Sequence, residues 1–259
     1  MIRSMAEINT LIDTANAELK ISEIPDYPPA LNGLQLTNKS GRATKIVAAV
    51  DACLPVIREA VEQEADLLIV HHGMFWNGAQ RIVDAQFKKL QLAMENNLAI
   101  YSVHIPLDVH PRLGNNAQLI SGLDLGVEPQ PFFDWKGIKL GLRIDGLEIS
   151  RADLLSKVKS ATGAEAMMCA GGPETVSSLG VITGGAGAEI FSIAETGIDT
   201  FITGEGPHWS YTAAEELGLN LIYGGHYATE TFGVKALSKW LCQKFEGLHW
   251  TFVDHPSGL

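Results

Sequence analysis

The chain has 259 residues, of which 46% are hydrophobic and 19% charged, a composition typical of a soluble globular protein with one large domain or two ordinary ones. Its formal net charge of −11 argues against non-specific binding to nucleic acid or anionic membranes, because both require a basic surface. The three cysteines, Cys53, Cys169 and Cys242, are too few and too widely spaced for a disulfide framework or a thiolate zinc site, so they predict reduced thiols in a cytosolic protein.

The predicted elements alternate between helices and strands. No stretch approaches the roughly 20 apolar residues of a membrane span, and the N-terminal apolar residues follow a helical stripe rather than a signal-peptide block. In chain order we predict a helix at 5–20, a Pro-rich loop at 27–30, a strand at 45–50, a helix at 54–64, a strand at 66–70, a helix at 86–96, a strand at 98–103, a loop through Pro106 and Pro111, and a helix at 115–122. Strand, helix and strand at this spacing indicate a parallel crossover unit. The segment 127–150 is rich in Pro, Gly and turn residues and indicates a junction.

The crossover unit recurs when the chain is shifted against itself so that Asp66 falls on Asp199. The strand at 46–50 then aligns with 179–183, and the pair His71-His72 aligns with Gly204-Glu205. Chance is the alternative explanation, because Val- and Ile-rich strands resemble one another. Chance explains less well why polar side chains recur at corresponding strand ends.

The pair His71-His72 ends an apolar strand just before Gly73. Adjacent strand residues point to opposite sides unless the strand breaks, and Gly73 permits such a break. The pair could simply face solvent, but neutral imidazole is also the commonest metal ligand. Ligands in open parallel sheets bind beyond the carboxyl ends of the strands, which is where this pair is predicted to lie.

Several further polar residues lie at or just past predicted strand ends, and together they form the inventory of a dinuclear metal site. They are His71, His72, His104, Asp108, Glu205, His226 and Glu230. Four of them have a structural alternative: His226 and Glu230 are neighbours on one helix face, Asp108 suits a turn, and Glu205 suits a cap. The run Phe75-Trp76 is more typical of core or interface packing than of a substrate-stacking surface.

A set of ordered motifs resembles the Nif-three-like family of dinuclear metal proteins, many of which carry the name GTP cyclohydrolase I type 2 homolog. The motifs cover the chain from about residue 30 to its end, and His-His-Gly and His-x-Pro-Leu-Asp look closest to the bacterial YbgI branch. They are Asn32-Gly-Leu-Gln-Leu36, His71-His-Gly-Met-Phe-Trp76, His104-Ile-Pro-Leu-Asp-Val-His-Pro111, Gly114-Asn-Asn-Ala-Gln-Leu119, Ile202-Thr-Gly-Glu205 and Gly225-His-Tyr-Ala-Thr-Glu230.

The resemblance implies an α/β fold in which two similar units, an internal repeat, form a three-layer arrangement with the metal site between them. We expect the first unit at 1–126 and the second at 127–259, with the last segment packing back on the first. The first would carry His71, His72 and Asp108 as metal ligands, and the second His226 and Glu230, with Glu230 as the bridge. The family also implies a homo-oligomer in the form of a hexameric ring.

The expected function is that of a cytoplasmic metal-dependent hydrolase with two divalent ions per chain, chosen among Zn, Fe, Mn, Ni and Co. By family analogy the small-molecule substrate is a nucleotide or related heterocycle. His104 and Glu205 are the candidates for moving protons, as the catalytic residues. The alternative is a non-catalytic hexameric ring that acts as a scaffold, metal carrier or regulatory partner, so whether the protein is an enzyme stays open here.

Overall fold

The computed structural model describes residues 5–78 and 80–259 and has the predicted mixed α/β architecture. Its elements, in chain order, are β1 (Ala6–Glu7), α1 (Ile8–Leu19), a 3-10 turn (Pro28–Ala30), β2 (Gly33–Leu36), β3 (Arg42–Ala43), β4 (Lys45–Asp51), α2 (Leu54–Glu62), β5 (Leu67–His72), α3 (Asp84–Glu95), β6 (Ala99–Ser102), α4 (Ile105–Asp108), α5 (Asn115–Leu123), β7 (Gln130–Trp135), β8 (Ile138–Ser150), α6 (Arg151–Thr162), β9 (Met167–Ala170), β10 (Thr175–Val181), a 3-10 turn (Ala186–Glu189), α7 (Ile190–Ala194), β11 (Thr200–Thr203), α8 (His208–Leu217), β12 (Asn220–Tyr223), α9 (His226–Lys244) and β13 (His249–Phe252).

Two compact units divide the chain. Unit 1 comprises the described part of Met1–Leu107 together with Gly233–His255, and unit 2 comprises Asp108–Phe232 together with Pro256–Leu259. The sequence placed the division after residue 126 instead. The difference arises because α5 buries its apolar face, including Leu119, Ile120 and Leu123, in the core beneath the sheet of unit 2.

Unit 1 is built on a five-stranded sheet in the order β13-β4-β5-β6-β2. Strands β13, β4, β5 and β6 run parallel, and β2 pairs antiparallel with β6. The segment Ile46–Val50 of β4 is buried throughout, which is the pattern of a parallel strand covered on both faces. The last segment of the chain therefore completes the first sheet, since β13 pairs with β4.

Unit 2 contains a six-stranded sheet in the order β7-β8-β10-β11-β12-β9, of which β10, β11 and β12 are parallel. The segment predicted as a junction at 127–150 is instead the antiparallel hairpin β7-β8. Lys136 and Gly137 both adopt positive φ, as a two-residue hairpin turn requires. Apolar residues alternate along β8 at Ile138, Leu140 and Leu142, a strand signal that the local Pro and Gly content obscured.

The two sheets repeat one another in topology and in detail. Each contains a run of three neighbouring parallel strands with an antiparallel strand beside the third, namely β4-β5-β6-β2 and β10-β11-β12-β9, and β13 adds a further parallel strand in unit 1. Asp66 Oδ2 accepts hydrogen bonds from the backbone N–H and the hydroxyl of Thr44, at 2.7 and 3.0 Å. Asp199 Oδ2 accepts the same pair from Ser177, at 2.9 and 2.6 Å. The sequence alignment of Asp66 with Asp199 therefore reflects the same hydrogen-bonding arrangement in both units.

Across residues 5–78 and 80–259, no helix combines the length and the apolar character that a bilayer crossing requires.

Candidate metal centre

Unit 1 brings three imidazoles together at the carboxyl ends of β5 and β6. His71 and His72 end β5, and His104 follows β6. One ligand atom from each of the three lies within 4.8 Å of the others. The rings of His71 and His72 are 4.8 Å apart between centroids although β5 includes both residues. The strand end therefore presents both histidines to one place.

The imidazoles of His71 and His72 are each held at Nδ1. His71 Nδ1 lies 3.0 Å from the carbonyl oxygen of Val103, and His72 Nδ1 lies 2.9 Å from Asp51 Oδ1. A carbonyl or carboxylate oxygen can only accept, so each Nδ1 carries the proton and donates it, which leaves the ring's lone pair on Nε2. This is the tautomer that metal-bound histidines adopt when an outer carboxylate or carbonyl orients them.

His104 is fixed by a buried carboxylate that the sequence analysis did not single out. Its Nδ1 donates to Asp26 Oδ1 at 2.8 Å, and its backbone N–H donates to the side chain of Asn32 at 2.8 Å. Asp26 Oδ2 also accepts from Asn32 Nδ2 at 2.7 Å and from the N–H of Ile105 at 2.9 Å. Burial raises the pKa of Asp26, but the hydrogen bond and charge of His104, with the bonds from Asn32 and Tyr27, outweigh burial and hold it below its usual value. Asp26 is thus an ionised anchor for His104.

The turn after the histidine pair is held by Gln35. Gln35 Oε1 accepts from the N–H of Met74 at 2.8 Å, and its Nε2 donates to the carbonyl of Ala30 at 3.1 Å. A Cβ on Gly73 would lie 2.2 Å from Gln35 Nε2, so only glycine permits this approach. Asn32 and Gln35, from one predicted motif, therefore hold the loops that carry His104 and the histidine pair.

Unit 2 contributes a second set of donors around the start of α9. His226 Nε2 lies 3.1 Å from Glu230 Oε2, and its Nδ1 lies 2.8 Å from Glu205 Oε1. Burial lowers the pKa of His226, but the hydrogen bonds and charges of Glu230 and Glu205 outweigh burial and raise it to about 9. A metal ion that binds His226 at Nε2 would have to displace a proton. Glu205 orients His226 as Asp51 orients His72.

Asp108 and Glu230 place two carboxylates close together in a buried position. The side chains are 6% and 3% exposed, and a ligand oxygen of each lies within 4.8 Å of the other. Asp108 Oδ1 accepts from Asn115 Nδ2 at 2.7 Å and from the hydroxyl of Thr183 at 3.3 Å, which fixes its orientation. Burying two carboxylates side by side is costly unless a cation compensates for their repulsion. A divalent metal is the cation that this donor set suits.

Glu230 is seated against a glycine that follows β10. Gly184 has a φ of +70°, and a Cβ built on it would lie 2.2 Å from Glu230 Oε1. The N–H of Gly184 donates to the hydroxyl of Thr229 at 3.1 Å, next to Glu230 in the sequence. The glycine therefore makes room for a carboxylate at this point.

The structure thus gathers the predicted residues into two sets, one in each unit. Unit 1 holds His71, His72 and His104, and unit 2 holds Asp108, His226 and Glu230 with Glu205 beside them. The donors are imidazole nitrogens and carboxylate oxygens, which suit first-row divalent metals. Asp51 and Asp26 were missed by the sequence analysis. Asp51 carried a signal, since it ends β4 at the same edge of the sheet as the histidines.

Comparison with known proteins agrees with the motifs. The family model Duf34/NIF3 (NGG1p interacting factor 3) matches residues 6–257. A GTP cyclohydrolase 1 type 2 homolog from Deinococcus radiodurans is 38% identical over 244 residues, which cover 93% of this chain and 90% of that protein. The solved structures of protein ybgI and of TTHA1606 from Thermus thermophilus match with TM-scores of 0.89 and 0.87 at 35% and 37% identity, and each match covers 98% of this chain and 100% of the other. The predicted resemblance is confirmed, and the chain belongs to the Duf34/NIF3 family.

Proposed function

We propose that this protein is a dinuclear divalent-metal-dependent hydrolase acting on a nucleotide or related heterocycle. Its metal ligands are the five residues that the family resemblance predicts, His71, His72, Asp108, His226 and Glu230, with Glu230 as the bridge. The observation that carries the proposal is the state of the imidazoles. His71 and His72 each donate Nδ1–H to an oxygen, which leaves the lone pair on Nε2. His226 is held in the same way at Nδ1 by Glu205, and its Nε2 would bind a metal after losing its proton.

Divalent ions in such a donor set supply Lewis-acid activation of water and of the scissile bond. The remaining residues position ligands and move protons. Asp51 and Glu205 hold His72 and His226 by their Nδ1 atoms. This contact favours a positioning role for Glu205 over the predicted role in proton transfer.

His104 is the residue we assign to proton transfer. Its Nδ1–H is held by the ionised Asp26, so Nε2 accepts a proton and the resulting imidazolium is stabilised by the adjacent carboxylate. The same pair can return the proton to a leaving group. The ring centroid of His104 lies 4.8 Å from that of His71, and this proximity supports proton transfer next to a proposed metal ligand.

Metal content and turnover together test the proposal. We expect protein purified without added metal to contain two divalent ions per chain by elemental analysis. In a screen of nucleotides and cyclic amides, turnover should be abolished by a chelator and restored by Mn, Fe or Zn. Glu230→Gln should lose metal and turnover, whereas His104→Gln should keep metal and lose turnover. His208→Gln, at an exposed histidine, is the matched control and should change neither.

Two outcomes would contradict the proposal. Unchanged metal content and turnover in Glu230→Gln would refute the ligand assignment. Full metal content without turnover of any compound, with specific capture of a protein, would favour the alternative role as a scaffold, metal carrier or regulatory partner. The predicted hexameric ring is a separate proposal that sedimentation of the purified protein measures.

A further inference from the structure

Two exposed aromatic side chains in unit 1 stand beside the candidate histidines. Trp76 is 39% exposed and Tyr27 is 46% exposed. The ring of Trp76 lies 4.6 Å from that of His104 and 5.3 Å from that of His72, between centroids. The ring of Tyr27 lies 6.1 Å from that of His104. A large apolar surface that is exposed to water beside a buried polar cluster is typical of a ligand-binding site.

The two rings form a corner rather than a stack. Tyr27 and Trp76 are 6.3 Å apart between centroids, and their planes meet at 72°. A planar ring that lies flat on one of them presents its edge to the other, and both arrangements are favourable for aromatic systems. The corner therefore matches a flat aromatic ligand better than a branched aliphatic one.

Both sides of the corner are held in place by the neighbouring backbone. The N–H of Tyr27 donates to Asp26 at 2.6 Å, and Pro28 follows directly in the 3-10 turn. On the other side, Phe75 packs against the apolar core of unit 1, and its carbonyl accepts from the N–H of Gly78 at 2.7 Å. The expected core packing is therefore found for Phe75, whereas Trp76 lies outside that core and is 39% exposed. A surface fixed before binding loses little entropy when the ligand arrives.

We propose that Tyr27 and Trp76 bind the planar heterocyclic ring of the substrate and so select for nucleobase-like compounds. This inference rests on the proposed function, because it assigns a substrate class to that same site. The ring of the substrate would lie against Trp76, beside His72 and His104, with its edge toward Tyr27. Trp76 and Tyr27 act in recognition and take no part in proton transfer or metal ligation.

Calorimetric titration of the metal-loaded protein with GTP tests this inference, with ribose 5-phosphate as the probe that lacks a ring. We expect GTP to bind and ribose 5-phosphate to bind far more weakly. Trp76→Leu and Tyr27→Leu should each weaken GTP binding on the order of 5- to 150-fold, which is the range for loss of one base–aromatic stack. Trp76→Phe should retain part of the affinity, and all variants should keep the metal content of the parent.

Trp209→Leu is the matched control. Trp209 is 46% exposed and stacks on Phe191 in unit 2, so its loss should leave GTP affinity unchanged. The inference fails if Trp76→Leu binds GTP as tightly as the parent, or if no compound in a panel of purines, pyrimidines and pterins binds. It also fails if tetramethylammonium competes with GTP, because the aromatic faces would then bind a cation rather than a planar ring. It also fails if Trp76→Leu changes the oligomeric state, because Trp76 would then be an interface residue. Metal content and chelator-sensitive turnover report separately on the proposed function.

Discussion

The imidazoles of the candidate centre owe their orientation to residues behind them. Asp51 binds Nδ1 of His72, Asp26 binds Nδ1 of His104, and Glu205 binds Nδ1 of His226. Each carboxylate fixes the rotation of its ring and keeps a proton on Nδ1. Residues that never touch the metal should therefore affect its affinity, and Asp51 is the clearest case because its contact is with a single predicted ligand.

We expect Asp51→Ala to lower the affinity for a divalent metal about 10- to 100-fold, because His72 loses the acceptor that fixes its tautomer. Zinc titration of the metal-free protein measures the change. Asp51→Asn keeps an oxygen acceptor and should show a smaller loss. Asp134→Ala removes an exposed carboxylate that pairs with Lys139, and it should leave the affinity unchanged. Equal losses in Asp51→Ala and Asp134→Ala would contradict an orienting role.

The glycine that seats Glu230 gives a second test. Gly184→Ala should displace the Glu230 carboxylate and reduce metal content, because the new Cβ would lie 2.2 Å from Glu230 Oε1. Gly163→Ala controls for backbone strain, since Gly163 has a φ of +68° and open space at its Cβ. Both variants should lose about 1 kcal/mol of stability from the positive φ. Elemental analysis that finds full metal in Gly184→Ala would refute the seating argument.

Among the secondary-structure elements, β4 and β10 are each joined to the next parallel strand by the same pair of hydrogen bonds to an aspartate. Asp66 binds the N–H and hydroxyl of Thr44, which directly precedes β4, and Asp199 binds those of Ser177, the third residue of β10. The bond spans the crossover connection, so it fixes which part of one strand faces the next. The repeat is consequently visible in the chain as a spacing between a hydroxyl residue and an aspartate.

Replacing Asp199 should weaken unit 2 in a pH-dependent way. Burial raises the pKa of Asp199, but hydrogen bonds from Ser177, Thr200 and Ser178 outweigh burial and hold it below its usual value of 3.8. The carboxylate therefore stabilises the fold above about pH 4, and this contribution is lost as the pH falls through the folded-state pKa. We expect Asp199→Asn to lower the free energy of unfolding by about 1–3 kcal/mol at pH 7.

Urea unfolding at a series of pH values from 7 to 3 measures the effect. The difference between the parent and Asp199→Asn should shrink as the pH falls below about 4, because the unfolded chain then takes up a proton at Asp199 more readily than the folded chain does. Ser177→Ala, which removes the hydroxyl donor but keeps the backbone donor, should show a smaller loss at pH 7. A difference that is the same at every pH would show that the charge of Asp199 does not matter.

For the whole molecule, the sequence predicted those features that follow from local hydrophobic periodicity and from the residues at strand ends. The parallel strands were predictable because their residues are apolar in continuous runs, and the cluster of His71, His72 and His104 followed because carboxyl ends of parallel strands meet at one edge. Asp26 could not be predicted in the same way, since it lies in a loop whose path depends on contacts with Asn32 and His104. The hairpin at 127–150 was missed because its many Pro, Gly and other turn residues obscured the alternation of apolar residues along β8.

The pairing of β13 with β4 has a consequence for biosynthesis. All strands of the sheet in unit 2 lie between Gln130 and Tyr223, whereas the sheet in unit 1 gains its edge strand only when residues 249–252 have been synthesised. On the ribosome, the second sheet therefore has all its strands available before the first. Until that moment the apolar strand β4 presents an open edge, which is the kind of surface at which incompletely folded chains pair with one another.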